Sequence, residues 1–136
     1  MGQQMIAIAC TRPIQKGKFY LSADDFPDFI PDDDAIRRRI DDLCKHTGLT
    51  VPTEPIVTDA KNSCWTYLYG LNTFGDIFTP RQMLCLLTFA ATVREVVGQF
   101  VTLSDDPELA KAVTTFLSMA FDKIADISTS LSAWEP

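Results

Sequence analysis

A chain of 136 residues, 46% of them hydrophobic, has the size of one domain and enough apolar side chains to bury a core. Its net charge of −6 argues against a free-standing nucleic-acid binder, whose affinity would rest on Lys and Arg near phosphates, but is compatible with a domain that supports a binder elsewhere in a longer protein. No uninterrupted apolar run approaches the ~20 residues of a membrane span, and Met1-Gly2-Gln3-Gln4 lacks the basic and apolar regions of a signal peptide, so a cytoplasmic protein without a membrane partner is expected.

The first apolar run, Met5-Ile6-Ala7-Ile8-Ala9-Cys10, and a second, Lys18-Phe19-Tyr20-Leu21, are rich in strand formers. Pro13 and Gly17 punctuate the stretch between them, which predicts a β-hairpin with a longer loop, too small to stand alone. Residues 24–34 carry six aspartates, Pro27 and Pro31 around Phe26, Phe29 and Ile30. They read as an acidic connector whose aromatics dip into a surface. Asp32, Asp33 or Asp34 then caps a helix running to about His46, with Ile36, Ile40 and Leu43 on one face and Gly48 as its stop. Arg37, Arg38 and Arg39 either contact phosphate or form a solvated face paired with Asp33, Asp34, Asp41 and Asp42, and the paired reading is favoured. Residues 50–63, with Pro52 and Pro55, form an extended linker over the surface.

Cys64-Trp65-Thr66-Tyr67-Leu68-Tyr69 alternates like a strand with Trp65, Tyr67 and Tyr69 on one face. Such a face can stack bases. No basic residue lies between Lys61 and Arg81, so core or interface packing is favoured. Next comes Thr73-Phe74-Gly75-Asp76-Ile77-Phe78-Thr79-Pro80-Arg81-Gln82, about which the chain is organised. Thr79 caps a helix, Pro80 suits its first position, and Gln82 reaches back to the cap N–H. Gly75 allows a sharp reversal and Asp76 can hydrogen-bond the backbone of the turn. Phe74 and Phe78 flank the loop and are expected to pack it down. Arg81 sits in the first helical turn, where the helix dipole disfavours a cation, so a partner is expected. The favoured one is Asp76, in an internal lock; the other is a DNA phosphate or a carboxylate of another domain.

From Thr79 to about Thr102 the chain reads as a long helix. Thr88, Thr92, Glu95 and Gln99 form a polar stripe, and the apolar remainder predicts burial on more than one side. After a turn at residues 103–107, a second long helix runs from Glu108 to about Ala133. Leu109, Val113, Phe116, Ala120, Ile124, Ile127, Leu131 and Trp134 form its apolar stripe. So short a turn predicts an antiparallel pair. The fold class expected is therefore α+β: an N-terminal β-hairpin and short helix, then a long antiparallel helical hairpin. The chain is a single domain, residues 1–136, divided into 1–63, 64–78 and 79–136. Its ending at Trp134-Glu135-Pro136 reads as a segment of a larger protein, and its apolar helices are expected to self-associate when isolated.

The parts of a catalyst are missing. Cys10, Cys44, Cys64 and Cys85 are too scattered for a zinc ribbon, and reduced structural thiols without bound metal are expected. The six glycines never cluster into a cofactor-binding turn. The eight prolines are never adjacent, as an amine-methylating motif requires. His46, the single histidine, has no nucleophile motif near it. Asp122 and Asp126, one helical turn apart, are more simply partners for Lys or Arg than an acid–base pair.

A family resemblance complements this reading. Tyr69-Gly70-Leu71-Asn72-Thr73-Phe74-Gly75-Asp76-Ile77-Phe78-Thr79-Pro80-Arg81-Gln82 resembles a stretch of the large adenine-specific DNA methylases that carry a zinc ribbon and a DUF1156 region. Their form is Tyr-Gly, a short gap, then Trp-Gly-Asp-Leu-Phe-Thr-Pro-Arg-Gln; here Phe74 stands for the Trp and Ile77 for the Leu. Weaker likenesses lie at Gly17-Lys18-Phe19-Tyr20-Leu21, at Val51-Pro52-Thr53-Glu54-Pro55-Ile56, at Ala120-Phe121-Asp122-Lys123-Ile124-Ala125-Asp126, and at Ser130-Leu131-Ser132-Ala133-Trp134. In that family the cofactor motif lies earlier in the chain and the Asp-Pro-Pro-Tyr motif later. The resemblance thus implies an inserted module with no catalytic, cofactor or metal residues of its own. Its parent would be an S-adenosylmethionine-dependent DNA adenine methyltransferase of the DNA-modification and restriction-modification class. The module would shape the DNA-facing cleft or buttress the catalytic domain. Its partners would be the remainder of the parent chain and, through it, DNA. Phe74, Gly75, Asp76, Thr79, Arg81 and Gln82 are the candidate interaction residues. The competing reading is an independent protein–protein interaction module docking through the aromatic segment 65–78.

Overall fold

In a computed structural model, residues 7–57, 66–103 and 106–131 are described. They form an α+β domain: a two-stranded antiparallel hairpin, a short helix and a long helical hairpin. Cys64, Trp65 and Trp134, invoked above, lie outside the described residues.

Strands β1 (Ala7–Arg12) and β2 (Gln15–Ser22) pair from Ala7↔Ser22 to Thr11↔Lys18, then Arg12↔Gln15. The connection is Pro13 and Ile14 alone, shorter than expected. The residues counted as loop are instead drawn into the ladder by an irregularity next to Thr11 and Arg12. Gly17, at φ +111°, supplies a backbone shape that other residues rarely adopt there. The guanidinium of Arg12 lies 4.7 Å from the centre of the Phe19 ring, a cation–π contact along the hairpin.

The acidic connector folds into two short 3-10 turns, Ala23–Asp25 and Pro27–Phe29. Phe26 and Phe29 tilt against each other at 5.9 Å. Phe26 is half-buried but Phe29 remains exposed, so the connector does not insert both aromatics into a surface as expected; Ile30 is exposed too. Phe29 and Ile30 are both occupied by turns that close on themselves, Phe29 N–H to Phe26 O and Ile30 N–H to Pro27 O.

Helix α1 (Asp33–Thr47) starts at Asp32, whose carboxylate accepts from the Ala35 N–H at 3.0 Å, and stops at Gly48, in the left-handed region at φ +69°. His46 donates from Nδ1 to the Asp42 carbonyl at 2.6 Å. Beyond Gly48, residues 51–57 run extended and are stitched antiparallel to residues 72–75. Ile56 N–H bonds Asn72 O at 2.8 Å, Phe74 N–H bonds Glu54 O at 3.1 Å, and Gly75 N–H bonds Pro52 O at 3.1 Å. The described part of the predicted aromatic strand is instead a 3-10 turn, Tyr67–Tyr69, closed by Tyr69 and Leu71 N–H groups on the Thr66 carbonyl. Gly70 at φ +75° reverses the chain before any strand partner is met.

Helices α2 (Pro80–Leu103) and α3 (Pro107–Ile127) pack together, with Phe89 and Phe121 stacked at 5.9 Å. Asp106 caps α3 by accepting from Glu108 and Leu109 N–H, with Pro107 at its first position. α3 ends at Ser128, short of the expected 133. The turn that follows swings Ser130 onto the Ile77 carbonyl, which accepts from both its N–H (2.9 Å) and its Oγ (2.6 Å).

The core lies where α1 crosses the first turns of α2. Ile40, Met83 and Leu87 are buried there, with Ile36, Leu43, Leu49, Val51, Phe78 and Leu84 packed around them. Burial of α2 on more than one side, expected from its composition, holds only along its first turns, where α1 packs on it and α3 runs alongside. Beyond Leu87, Val96 is 49% and Val101 55% exposed. α1 is too short to follow α2 to its far end. α3 also departs from expectation: Leu109, Phe116 and Ile127 of the predicted stripe are exposed. The side against α2 instead centres on the buried Ala110, with Val113, Leu117, Phe121 and Ile124 half-buried. A small residue at the contact lets the two backbones approach. One 18-residue window of α2 has a mean hydropathy of 1.5. By length and composition α2 could cross a bilayer, a feature that counting uninterrupted apolar residues misses. Its first turns are nevertheless committed to the α1 core through Met83 and Leu87.

Candidate functional site

The loop at residues 73–82 touches every part of the helical region. Thr73, Phe74 and Gly75 hold residues 52–55, Phe78 enters the core, Thr79 opens α2, and Ile77 receives Ser130 from the end of α3.

Each motif residue has a definite environment. Gly75 does not have a positive φ. A Cβ there would stand 2.5 Å from the Pro52 carbonyl oxygen and 2.9 Å from Val51 Cγ1. Glycine is therefore needed for close backbone approach and not for the reversal expected from sequence. Asp76 accepts from the Thr73 N–H at 2.8 Å and the Asn72 N–H at 3.0 Å. The Thr73 N–H above all holds its carboxyl below the usual carboxylate range; burial opposes it, and the Thr73 hydroxyl and the Asn72 N–H each add a smaller lowering. Thr79 and Gln82 form the predicted reciprocal cap: Thr79 N–H to Gln82 Oε1 at 2.8 Å, Gln82 N–H to Thr79 Oγ1 at 3.3 Å. Phe78 packs on the core as expected, whereas Phe74 is 49% exposed.

The expected lock between Asp76 and Arg81 is absent. No carboxylate of the described residues lies within 4 Å of the Arg81 guanidinium. Asp76 is drawn the other way, onto backbone donors three and four residues before it, whose positions the turn already fixes. Reaching Arg81 would require ordering a long flexible side chain as well. Arg81 instead borders a hollow of about 390 Å³ shared with Gln82, Cys85, Leu86 and Ser128.

A larger cleft of about 730 Å³ lies on the other side of the loop, between α1 and the Pro52 segment. Asp33, Arg37 and Asp41, one turn apart on α1, line one wall; Tyr69, Asp76 and Phe78 line the other. Arg37, Arg38 and Arg39 have no carboxylate of the described residues within 4 Å, so the pairing favoured from sequence does not form. Among the described residues ion pairs join Lys45 to Asp42, Lys111 to Glu108 and Lys123 to Asp126, each between exposed neighbours three apart on the same helix. Asp126 thus has Lys123 as its partner, in line with the structural reading of that residue. Among the described residues no three His, Cys, Asp or Glu side chains converge as a metal site would require. Cys10 and Cys44 are half-buried free thiols and Cys85 is exposed.

Sequence reasoning missed the two partners that make this loop a junction. Pro52 could have been suspected, because an extended proline-containing segment is suited to lie against a glycine. Ser130 carried no signal, since it pairs across 53 residues. No family model, curated protein or solved structure matches this chain.

Proposed function

We propose that this chain is a non-catalytic module of an S-adenosylmethionine-dependent DNA adenine methyltransferase, and that Arg81 is its contact to DNA phosphate or to a carboxylate of the catalytic domain. The observation carrying this reading is the division within the motif. Gly75, Asp76, Thr79 and Gln82 each have an intramolecular role. Arg81 is exposed beside a hollow, in a first helical turn where its charge is disfavoured, with no ion pair to a described residue. An arginine held so has its full set of donors available to an external anion. Phe74, 49% exposed in the same motif, is assigned to the module's interaction surface as well. The protein acts in the cytoplasm, where its DNA is.

The test is Arg81→Ala in two settings. In residues 1–136 alone it is expected to leave the melting temperature unchanged. In the full-length parent it is expected to weaken DNA binding or methylation about tenfold, the loss of roughly one charge-assisted contact. An unchanged parent refutes the assignment of Arg81. An open reading frame with no glycine-rich motif upstream and no Asp-Pro-Pro-Tyr downstream refutes the methylase reading as a whole.

A second reading, an adaptor docking through the segment 65–78, is favoured by one observation: Leu68 is 63% and Tyr69 55% exposed. It predicts that Leu68→Asp abolishes partner capture without altering the domain's stability, and that the reading frame ends at Pro136.

A further inference from the structure

The charge of the chain is not spread evenly. Residues 7–22 hold three of its twelve Lys and Arg (Arg12, Lys16 and Lys18) and none of its eighteen Asp and Glu. All three cations sit at the closed end of the β-hairpin, around the two-residue turn Pro13-Ile14, and all three are exposed. They also converge. Arg12, Lys16, Gly17, Lys18 and Phe19 line one hollow of about 270 Å³, with room for a phosphate group and a few waters at about 30 Å³ per water. No carboxylate lines it. Arg12 is held there by its stack on Phe19 at 4.7 Å, which uses the flat face of a guanidinium whose N–H groups lie in the plane, around the rim. Gly17, between the two lysines, adds backbone without a side chain.

The ribbon also stands clear of the core. No residue of β1 or β2 belongs to the cluster of Ile40, Met83 and Leu87, and among the described residues no third strand extends the ribbon. Ile14, at the apex, is 100% exposed. A strand rises about 3.3 Å per residue, so the six steps from Lys16 to Ser22 set the tip roughly 20 Å from the aspartates that follow. Salt at about 0.1 M screens charge over about 10 Å, so the acidic connector does not cancel the field at the tip.

From this placement we infer that the hairpin tip is a DNA-binding arm, in which Arg12, Lys16 and Lys18 take backbone phosphates and Pro13-Ile14 presses into the groove between them. A two-stranded ribbon is narrow enough to enter a groove of duplex DNA. Pro and Ile are among the apolar wedges that groove-binding proteins lodge between base steps, with Arg and Lys beside them. Charge complementarity names the occupant, because a duplex carries one phosphate charge per about 1.7 Å of axis and can meet three clustered cations at once. An anionic bilayer fits less well. One isoleucine at the apex contributes at most about 3 kcal/mol of burial, far less than the single acyl chain that itself binds a membrane only marginally. The inference rests on the proposed function for the identity of the partner alone, and sets a second contact on a different element from Arg81.

Fluorescence anisotropy of a labelled duplex of about 20 base pairs, titrated with the full chain to about 1 mM at salt between about 50 and 200 mM, tests this. Binding is expected, with a logarithmic salt slope near −2.7, about −0.9 for each of three phosphates. Lys16→Gln combined with Lys18→Gln is expected to reduce the slope by about two and the affinity at the lowest salt at least about tenfold. Ile14→Ser is expected to weaken binding about threefold or more and to keep the slope, since an apolar contact releases no counterions. Circular dichroism checks that each variant is folded; the substituted side chains are exposed and outside the core. Absence of binding by the wild-type chain overturns the inference, and so does a folded Lys16→Gln/Lys18→Gln variant with wild-type affinity and slope. Wild-type affinity in Ile14→Ser refutes the wedge. Binding to phosphatidylserine vesicles without binding to the duplex assigns the tip to lipid and also overturns the inference. Arg81→Ala separates the two proposals. Binding lost in Arg81→Ala but kept in the hairpin variants refutes the arm and leaves the proposed function standing. Binding lost in the hairpin variants, in a chain whose reading frame lacks the methylase motifs, supports the arm and refutes the methylase reading.

Discussion

The near end of the helical region and its far end are built from the same two helices and are held in different ways. Near the loop, α2 meets α1 through Ile40, Met83 and Leu87, and the backbone of 72–78 is bonded both to the 52–56 segment and to Ser130. Beyond Leu87, among the described residues, α2 meets α3 through a stack of Phe89 on Phe121 and turns apolar side chains outward. The difference shows that composition fixes how much apolar surface a helix carries but not where it is covered. Stability is concentrated where three segments converge, and the far end leaves apolar surface exposed.

Substitution on the two sides separates these roles most sharply. Leu87→Ala leaves a void in the three-sided core and is expected to cost about 2–5 kcal/mol, whereas Phe116→Ala, measured dilute enough to be monomeric, is expected to stay within about 0.5 kcal/mol of wild type. Denaturant melts of both variants decide it, and comparable losses would mean that the far end is packed as tightly as the near end. Gly75→Ala comes next. Its Cβ would press on the Pro52 carbonyl, where only backbone can yield, and a loss of about 1–3 kcal/mol is expected. Thermal melting checks this, and a neutral effect would show that the 51–57 segment is not fixed to the loop.

Smaller again, Thr79→Ala is expected to cost about 1 kcal/mol, and Gln82→Ala to add little on top of it, because the two side chains form one reciprocal cap. At about 3 °C per kcal/mol for a chain of this length, calorimetry resolves the difference. Asp76→Asn gives an effect of similar size with a pH signature. The Asp76 carboxyl is held below its ordinary range when folded, so its contribution is present above that range and is lost as pH falls through the lowered value. Wild type and Asp76→Asn are therefore expected to differ at neutral pH and to converge in acid. A constant gap across the pH range would refute the role given to the carboxylate.

The elements whose cause is local were legible in the residues. One of Asp32, Asp33 and Asp34 and then Gly48 bound α1, Thr79 and Gln82 open α2, and a turn ending at residue 107 precedes α3, because a cap is decided within four positions of chain. What depended on distant segments was not. Gly75 was read as a turn residue, when the constraint on it comes from Pro52. Asp76 was matched with Arg81 by charge, when fixed N–H groups nearer to it compete better than a mobile guanidinium. The hairpin loop was drawn too long because a ladder irregularity at Gly17 leaves no apolar pattern. On α3 two apolar rows are equally regular, and only the position of α2 decides which is inside.

The Ile77 carbonyl bears on the order in which the chain assembles. Ser130 reaches it across 53 residues, and closing a loop of that span costs about 3.5 kcal/mol plus a constant. Two hydrogen bonds at about 1 kcal/mol each do not repay that, so the clasp forms only after α3 has docked along α2. The amide hydrogen of Ser130 is thereby a reporter of the clasp itself: its exchange with deuterium follows the local release of this turn from Ile77, with α3 still docked along α2.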